Sequence, residues 1–168
     1  MIDSNAFDFI CDNKLQDLIQ KLIKKHAVSL WITQVQKDQL NAIPDQTKKQ
    51  CIDYIPINFT TTAIAWTSNP ENEKGGYKVP KSNQFRSVSD NDVKIIEELL
   101  NDRTNPSQRI KGDVGMVYTA IKDKMDFLVS QDRDIKQFYD RLKLSFQTKL
   151  QLLNNSDFEL LLKKLSSN

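Results

Sequence analysis

Leu15, Leu18, Ile19, Leu22 and Ile23 recur at i, i+3, i+4, i+7 and i+8, which predicts an amphipathic helix with one apolar face. Residues 28–33 follow, short and rich in strand formers, and predict a strand. Residues 35–54 read as helix, broken near Pro44 and restarted at Asp45. The threonines and aromatics of 57–66 suit a pleated surface and predict a second, longer strand. Periodicity then lapses over 68–89, where Pro70, Gly75, Gly76 and Pro80 mark a polar insertion.

Ser89, with Asp92 three residues on, opens a helix carrying Val93, Ile96, Leu99 and Leu100 on one face. A polar stretch from Arg103 to Gly112 leads to Asp113, and Val114, Val117, Tyr118 and Ile121 form the next helical face. Phe127, Leu128 and Val129 read as a buried parallel strand. Ile135, Phe138 and Leu142 mark another helix, and 149–153 a weak strand. Ser156 and Glu159 form a capping box at the helix of Phe158, Leu161, Leu162 and Leu165. This strand–helix alternation predicts an α/β fold on a parallel sheet, and 168 residues suit a single domain over 1–168.

Sites in such sheets form at the carboxyl ends of strands. Asp3, Asp113 and Asp132 are expected at or near that edge. Three carboxylates gathered there repel one another by about 3 kcal/mol per pair at about 5 Å and an effective dielectric near 20. A divalent cation relieves that repulsion, and hard oxygen ligands favour Mg²⁺ or Mn²⁺. Each aspartate also precedes an apparent helix, so each equally serves as an N-cap. Gly112 and Gly115 bracket Asp113 in a chain with only 4 glycines. They suit a turn and close helix packing as well as they suit a site.

Composition removes several chemistries. His26 is the only histidine, at an apparent helix end, so a Ser–His–Asp mechanism and a zinc site are poorly supplied. Cys11 and Cys51 lie in no metal or redox spacing and are expected as reduced thiols. The net charge of +2 marks no general nucleic-acid binder, so any such footprint is local. No apolar run reaches the roughly 18 residues of a membrane span, and no signal peptide is evident, so a cytoplasmic location and no membrane partner are expected. Trp31 and Trp66 fall in predicted strands and are expected in the core.

Three motifs in order resemble the PIN-domain nucleases. Met1-Ile2-Asp3-Ser4-Asn5 resembles that family's opening strand, Gly112-Asp113 its mid-chain acidic motif, and Leu128-Val129-Ser130-Gln131-Asp132-Arg133-Asp134 its later aspartate motif. The resemblance implies a three-layer α/β/α sandwich with a central, mainly parallel sheet, a Mg²⁺ or Mn²⁺ site and endoribonuclease activity. Asp3, Asp113 and Asp132 would hold the metal, with Asp134 as an outer ligand or first-turn helix residue. Asn5 and Ser130 would orient ligands or serve as capping and turn residues.

One departure concerns a further acidic residue, often Glu, on the helix after the second strand. Here Gln39 stands at that position, beside Asp38. Gln offers an oxygen but no charge and no base. Gln39 as an engineered change, Gln39 as a naturally weakened site, and Asp38 turning inward all fit. A catalytically weakened RNA- or protein-binding module is the alternative function. A phospho-acceptor domain ranks below it, because Lys111 is poorly placed for that role.

RNA is the implied partner. Lys74 to Val88 carries Lys78, Lys81 and Arg86 with Tyr77 and Phe85 interleaved and no acidic residue. Arg109 and Lys111 lie beside Asp113. Both stretches read as an RNA-contacting surface or as solvated loop. A toxin or defence role leaves room for an inhibitory protein partner (an antitoxin) and for a homo-oligomer.

Overall fold

A computed structural model of the protein describes residues 1–60, 90–101 and 108–167. The helices are α1 (Ser4–Asp12), α2 (Gln16–Lys24), α3 (Gln34–Asn41), α4 (Gln46–Asp53), α5 (Asp90–Asn101), α6 (Gln108–Lys122), α7 (Arg133–Phe146) and α8 (Asn155–Ser166). The strands are β1 (Leu30–Ile32), β2 (Ile57–Phe59), β3 (Phe127–Val129) and β4 (Gln151–Leu153). The insertion at 68–89, the far half of the predicted strand 57–66 with Trp66, and Lys78, Lys81 and Arg86 lie outside the described residues.

The expected three-layer sandwich on a central parallel sheet is not what forms. Among the described residues the structure is mainly helical, and its strands make two separate parallel pairs, β1 with β2 and β3 with β4. Each strand has three residues. The physical reason lies in burial. Leu30, Ile32, Leu128 and Val129 are buried, but β2 and β4 hold no fully buried side chain. Most of the buried apolar surface is carried by helix stripes instead. Short connections through α3 and α4, and through α7, then suffice to return each strand parallel to its partner.

The first three residues run between the two pairs. Ile2 N–H donates to the Trp31 carbonyl at 3.0 Å, Val129 N–H to the Met1 carbonyl at 3.0 Å, and Asp3 N–H to the Val129 carbonyl at 2.9 Å. Ile2 pairs in parallel with Val129. Side chains alternate along extended backbone, so this seam divides the apolar interior. Met1 and Leu128 face a cluster with Val117, Tyr118, Phe138 and Leu142. Ile2 and Val129 face the other, with Phe7, Ile10, Leu22 and Ile32. α8 closes that second cluster with Phe158 and Leu162.

The helical pass at 35–54 divides as Pro44 requires, and Asp45 caps α4 by accepting from Thr47 and Lys48 N–H. At α8 the cap is Asn154, which accepts from Asp157 N–H, and not the expected Ser156–Glu159 box. Glu159 instead pairs with Lys163 one turn on at 2.6 Å. Trp31 is half-buried rather than in the core, and its indole N–H donates to Ser29 Oγ at 3.0 Å. No helix among the described residues is long and apolar enough to cross a membrane.

Scarce glycine shapes the helix ends. Lys14, His26 and Lys124 adopt positive φ at the C′ position, where glycine is usual. At each, the next residue's N–H reaches back to close the turn, as in Met125 N–H to the Ala120 carbonyl at 3.0 Å. A left-handed L-residue costs roughly 1–2 kcal/mol. Exposed Lys124→Gly is therefore expected to stabilise the protein by about 1 kcal/mol, read as a higher urea midpoint at unchanged slope.

Candidate metal centre

Asp3 ends the N-terminal extended segment and stands at the N-cap position of α1, with φ −74° and ψ 148°. It is 5% exposed. Its carboxylate turns to the opposite strand end, where Ser130 Oγ donates to Oδ2 at 2.8 Å. Ser4 Oγ donates to Oδ1 at 3.3 Å. Burial raises the Asp3 carboxyl above its ordinary value of 3.8; hydrogen bonds from Ser130, Ser4 and the Asn5 backbone oppose this, and Asp132 adds to it. The Asn5 side chain itself is exposed.

A relay of hydrogen bonds continues from Ser130. The Asp132 N–H donates to Ser130 Oγ at 3.0 Å, and the Asp134 N–H donates to Asp132 Oδ1 at 2.8 Å. Asp132 is thus the N-cap of α7. Ser130 is held by its own N–H to the Leu153 carbonyl at 3.0 Å. The strand end of β3, the start of α7 and the N-terminal segment are thereby locked together.

Asp113 arrives from a third direction. Contrary to the expectation of a strand end, it lies within α6, as do Gly112 and Gly115. Gly112 is therefore no turn. A methyl group there would meet Val35 Cγ1 of α3 at an ordinary 3.9 Å. One oxygen each of Asp113, Asp132 and Asp134 lies within 4.8 Å of the others, and all three residues are half-buried. Capping accounts for Asp132, and the Asn5 backbone N–H at the start of α1 also bears on the Asp3 carboxylate; Asp113 is interior to its helix.

The α3 helix contributes a residue the sequence reading passed over. Gln36 is 4% exposed. Its Nε2 donates to the Ile2 carbonyl at 2.6 Å, while Oε1 accepts from Thr33 N–H at 2.8 Å. One side chain thus caps α3 and ties it to the segment bearing Asp3. The Thr33-x-x-Gln36 spacing is a capping box and was legible as one; the tie to Ile2 is tertiary. Gln36→Leu leaves the buried Ile2 carbonyl and the Thr33 N–H without this partner. It is expected to cost about 1–3 kcal/mol by urea unfolding. Gln39 is exposed on α3, one turn beyond Val35. Asp38 is also exposed and accepts from Gln34 Nε2 at 3.0 Å, so it does not turn inward.

Arg109 and Lys111 lie on α6 just before Asp113, and their side chains fall outside those described. Open hollows occur elsewhere among the described residues. One is lined by Gln16, Asp17, Thr47, Gln50, Cys51 and Tyr54. Another lies between β2, α3 and α4 around Lys37, Leu40, Ile52 and Phe59.

The donor set is all carboxylate oxygen, a ligand type that hard divalent cations favour. Oxygens around a small cation bonded at about 2.1 Å lie up to roughly 4.2 Å apart. The three grouped carboxylates therefore need only small side-chain shifts to share an ion. Asp3 is not one of the three grouped carboxylates; it lies buried against Ser130, and Asp132 raises its carboxyl. Compared with known proteins, the chain matches no family model, no curated protein and no solved structure.

Proposed function

We propose that this chain is a metal-dependent endoribonuclease that hydrolyses phosphodiester bonds of RNA with Mg²⁺ or Mn²⁺. The observation that carries the reading is the meeting of carboxylates from separate parts of the chain. Asp113 groups with Asp132 and Asp134, and Asp132 adjoins Asp3. The three motifs that resemble the family supply those same residues in the family's order. Asp3, Asp113, Asp132 and Asp134 would hold the cation. When bound, it would polarise the phosphoryl oxygen, activate water and offset charge in the transition state.

The chain's own contribution is to hold the acids still. Ser130 fixes the Asp3 carboxylate, and the start of α7 fixes Asp132. Gln36 anchors the segment that delivers Asp3. Arg109 and Lys111 bring positive charge to α6 ahead of Asp113, suited to phosphate, and the cationic Lys78, Lys81 and Arg86 suit the same ligand chemistry. A toxin or defence nuclease held by an inhibitory protein fits this chemistry.

The neutral Gln39 favours a second reading, an RNA-binding module with weak or no cleavage. Incubation of single-stranded RNA with the protein in Mn²⁺ or Mg²⁺ separates the two. Cleavage quenched by EDTA and lost in Asp113→Asn and Asp132→Asn supports the nuclease. Gln39→Glu is expected to cleave faster. Retention of intact RNA without cleavage supports the binding module, and neither cleavage nor retention overturns both.

A further inference from the structure

Cys11 and Cys51 were expected as separate reduced thiols, yet α1 and α4 bring their Cα atoms to 6.0 Å and the two sulfurs are bonded. The bridge closes a sequence separation of 40 residues. That loop contains α2, β1 and α3, and with them two groups that hold the N-terminal segment. The Trp31 carbonyl accepts from Ile2 N–H at 3.0 Å, and Gln36 Nε2 donates to the buried Ile2 carbonyl at 2.6 Å. The next residue is Asp3.

The α3–α4 stretch is lightly packed. Over residues 34–53 only Gln36, Leu40 and Ile52 are buried, whereas α7 alone buries Ile135, Phe138, Tyr139 and Leu142. Each of the two helices has 8 residues, too few to hold without tertiary contacts. Elements with few buried contacts open locally before the rest of a fold. Besides the bridge, α4 is joined to α1 by the Lys48–Asp8 ion pair at 3.0 Å, and Tyr54 at its end accepts from Gln20 Nε2 of α2 at 3.3 Å. Both contacts are exposed, and exposed ion pairs contribute little. The covalent bond therefore limits how far α4 can leave α1.

We propose that the Cys11–Cys51 bond is a redox switch: oxidised, it holds the α3–α4 unit closed with Gln36 on Ile2; reduced, it lets that unit open and frees the segment bearing Asp3 from this anchor. A dithiol supplies the electrons. One of its thiolates attacks a cysteine sulfur and forms a mixed disulfide, while the other cysteine leaves as a thiolate and is protonated. The second thiol then closes a cyclic disulfide on the reductant, so two electrons and two protons pass to Cys11 and Cys51. Both cysteines are half-buried, and the attack takes place while the unit is transiently open. Opening leaves the Ile2 carbonyl without the Gln36 amide. The consequence for the acidic cluster rests on the metal reading above. A cation that needs Asp3 in place binds the closed form better, and by linkage it slows reduction.

The test uses the full chain after air oxidation. Its thiols are counted in denaturant. Amide hydrogen exchange over the first minutes is then compared among the oxidised protein, the protein reduced with dithiothreitol, and Cys11→Ser/Cys51→Ser. The expected results are no free thiol after oxidation and exchange over residues 33–54 at least about tenfold faster in both bond-free forms, with α7 still protected. Saturating Mg²⁺ is expected to slow reduction by dithiothreitol at least about threefold, and Asp113→Asn to remove that protection. Two free thiols after oxidation, or equal exchange over 33–54 with and without the bond, would overturn the switch. Mg²⁺ bound to the oxidised protein by calorimetry without any slowing of reduction overturns the link to Asp3. No Mg²⁺ binding at all sinks the metal reading instead, and hydrogen exchange still decides the switch.

Discussion

Asp3→Asn is expected to remove cation-dependent RNA cleavage by at least about a hundredfold while making the cation-free protein more stable at neutral pH. Loss of an outer hydrogen-bonding partner already costs 10–100-fold at metal sites, so loss of a ligand sets a floor near the upper end. The stability gain follows from burial. The folded-state carboxyl of Asp3 is raised above 3.8, so the folded protein holds this proton more tightly than the unfolded chain. Stability from that proton is present below the unfolded value and is lost as pH climbs through the raised one. Asparagine has the same shape, accepts the Ser130 hydroxyl, and never ionises.

The variant's advantage in EDTA should therefore grow as pH rises from 4 to 7 and vanish at lower pH. Adding Mn²⁺ at pH 7 should raise the thermal midpoint of the wild type and leave that of Asp3→Asn unmoved. Thermal unfolding across pH, with and without Mn²⁺, reads both halves. A variant that is less stable than wild type in EDTA at pH 7, or one that still responds to Mn²⁺, would remove Asp3 from the site.

Phe7→Ala should cost about 3–5 kcal/mol, the range for emptying a large aromatic from a core. Phe7 lies fully buried on α1, in one cluster with Ile10, Ile19, Leu22 and Ile32. Total stabilities of 5–15 kcal/mol make this a large share, enough to leave a measurable unfolded fraction at physiological temperature. Because Asp3 is the N-cap residue of α1, the cavity also loosens the backbone that presents the carboxylate. Urea titration should give a much lower midpoint, with Mn²⁺ recovering part of the loss by binding only the folded form. Leu144→Ala is the control; Leu144 is 81% exposed, and its change should stay within about 0.5 kcal/mol. Equal midpoints for the two variants would contradict the core assignment of α1.

Local order was readable along much of the chain. The apolar spacing of Leu15 to Ile23 marked α2, and the Pro44–Asp45 pair marked the break and the cap between α3 and α4. Phe127 to Val129 was read as a strand of three residues and is one. Each of these depends on neighbours within a turn or two, where period and propensity act directly. Asp113 was misplaced at a strand end because the polar stretch before it hides a helix start. Ser130, expected to orient ligands or to serve as a turn residue, joins Asp3 to Asp132 through its hydroxyl.

What the sequence by itself determined, then, is the helix stripes, the short apolar strands, the scarcity of histidine, and three acidic motifs in a given order. Tertiary structure decided the rest. It ended the strands after three residues, because the outer ones had little apolar surface to bury. It brought Asp3 against Ser130, chose Gln36 as the tie to Ile2, and joined Cys11 to Cys51. Those outcomes depend on distances between residues far apart in sequence, and no local preference encodes such distances until the core has packed.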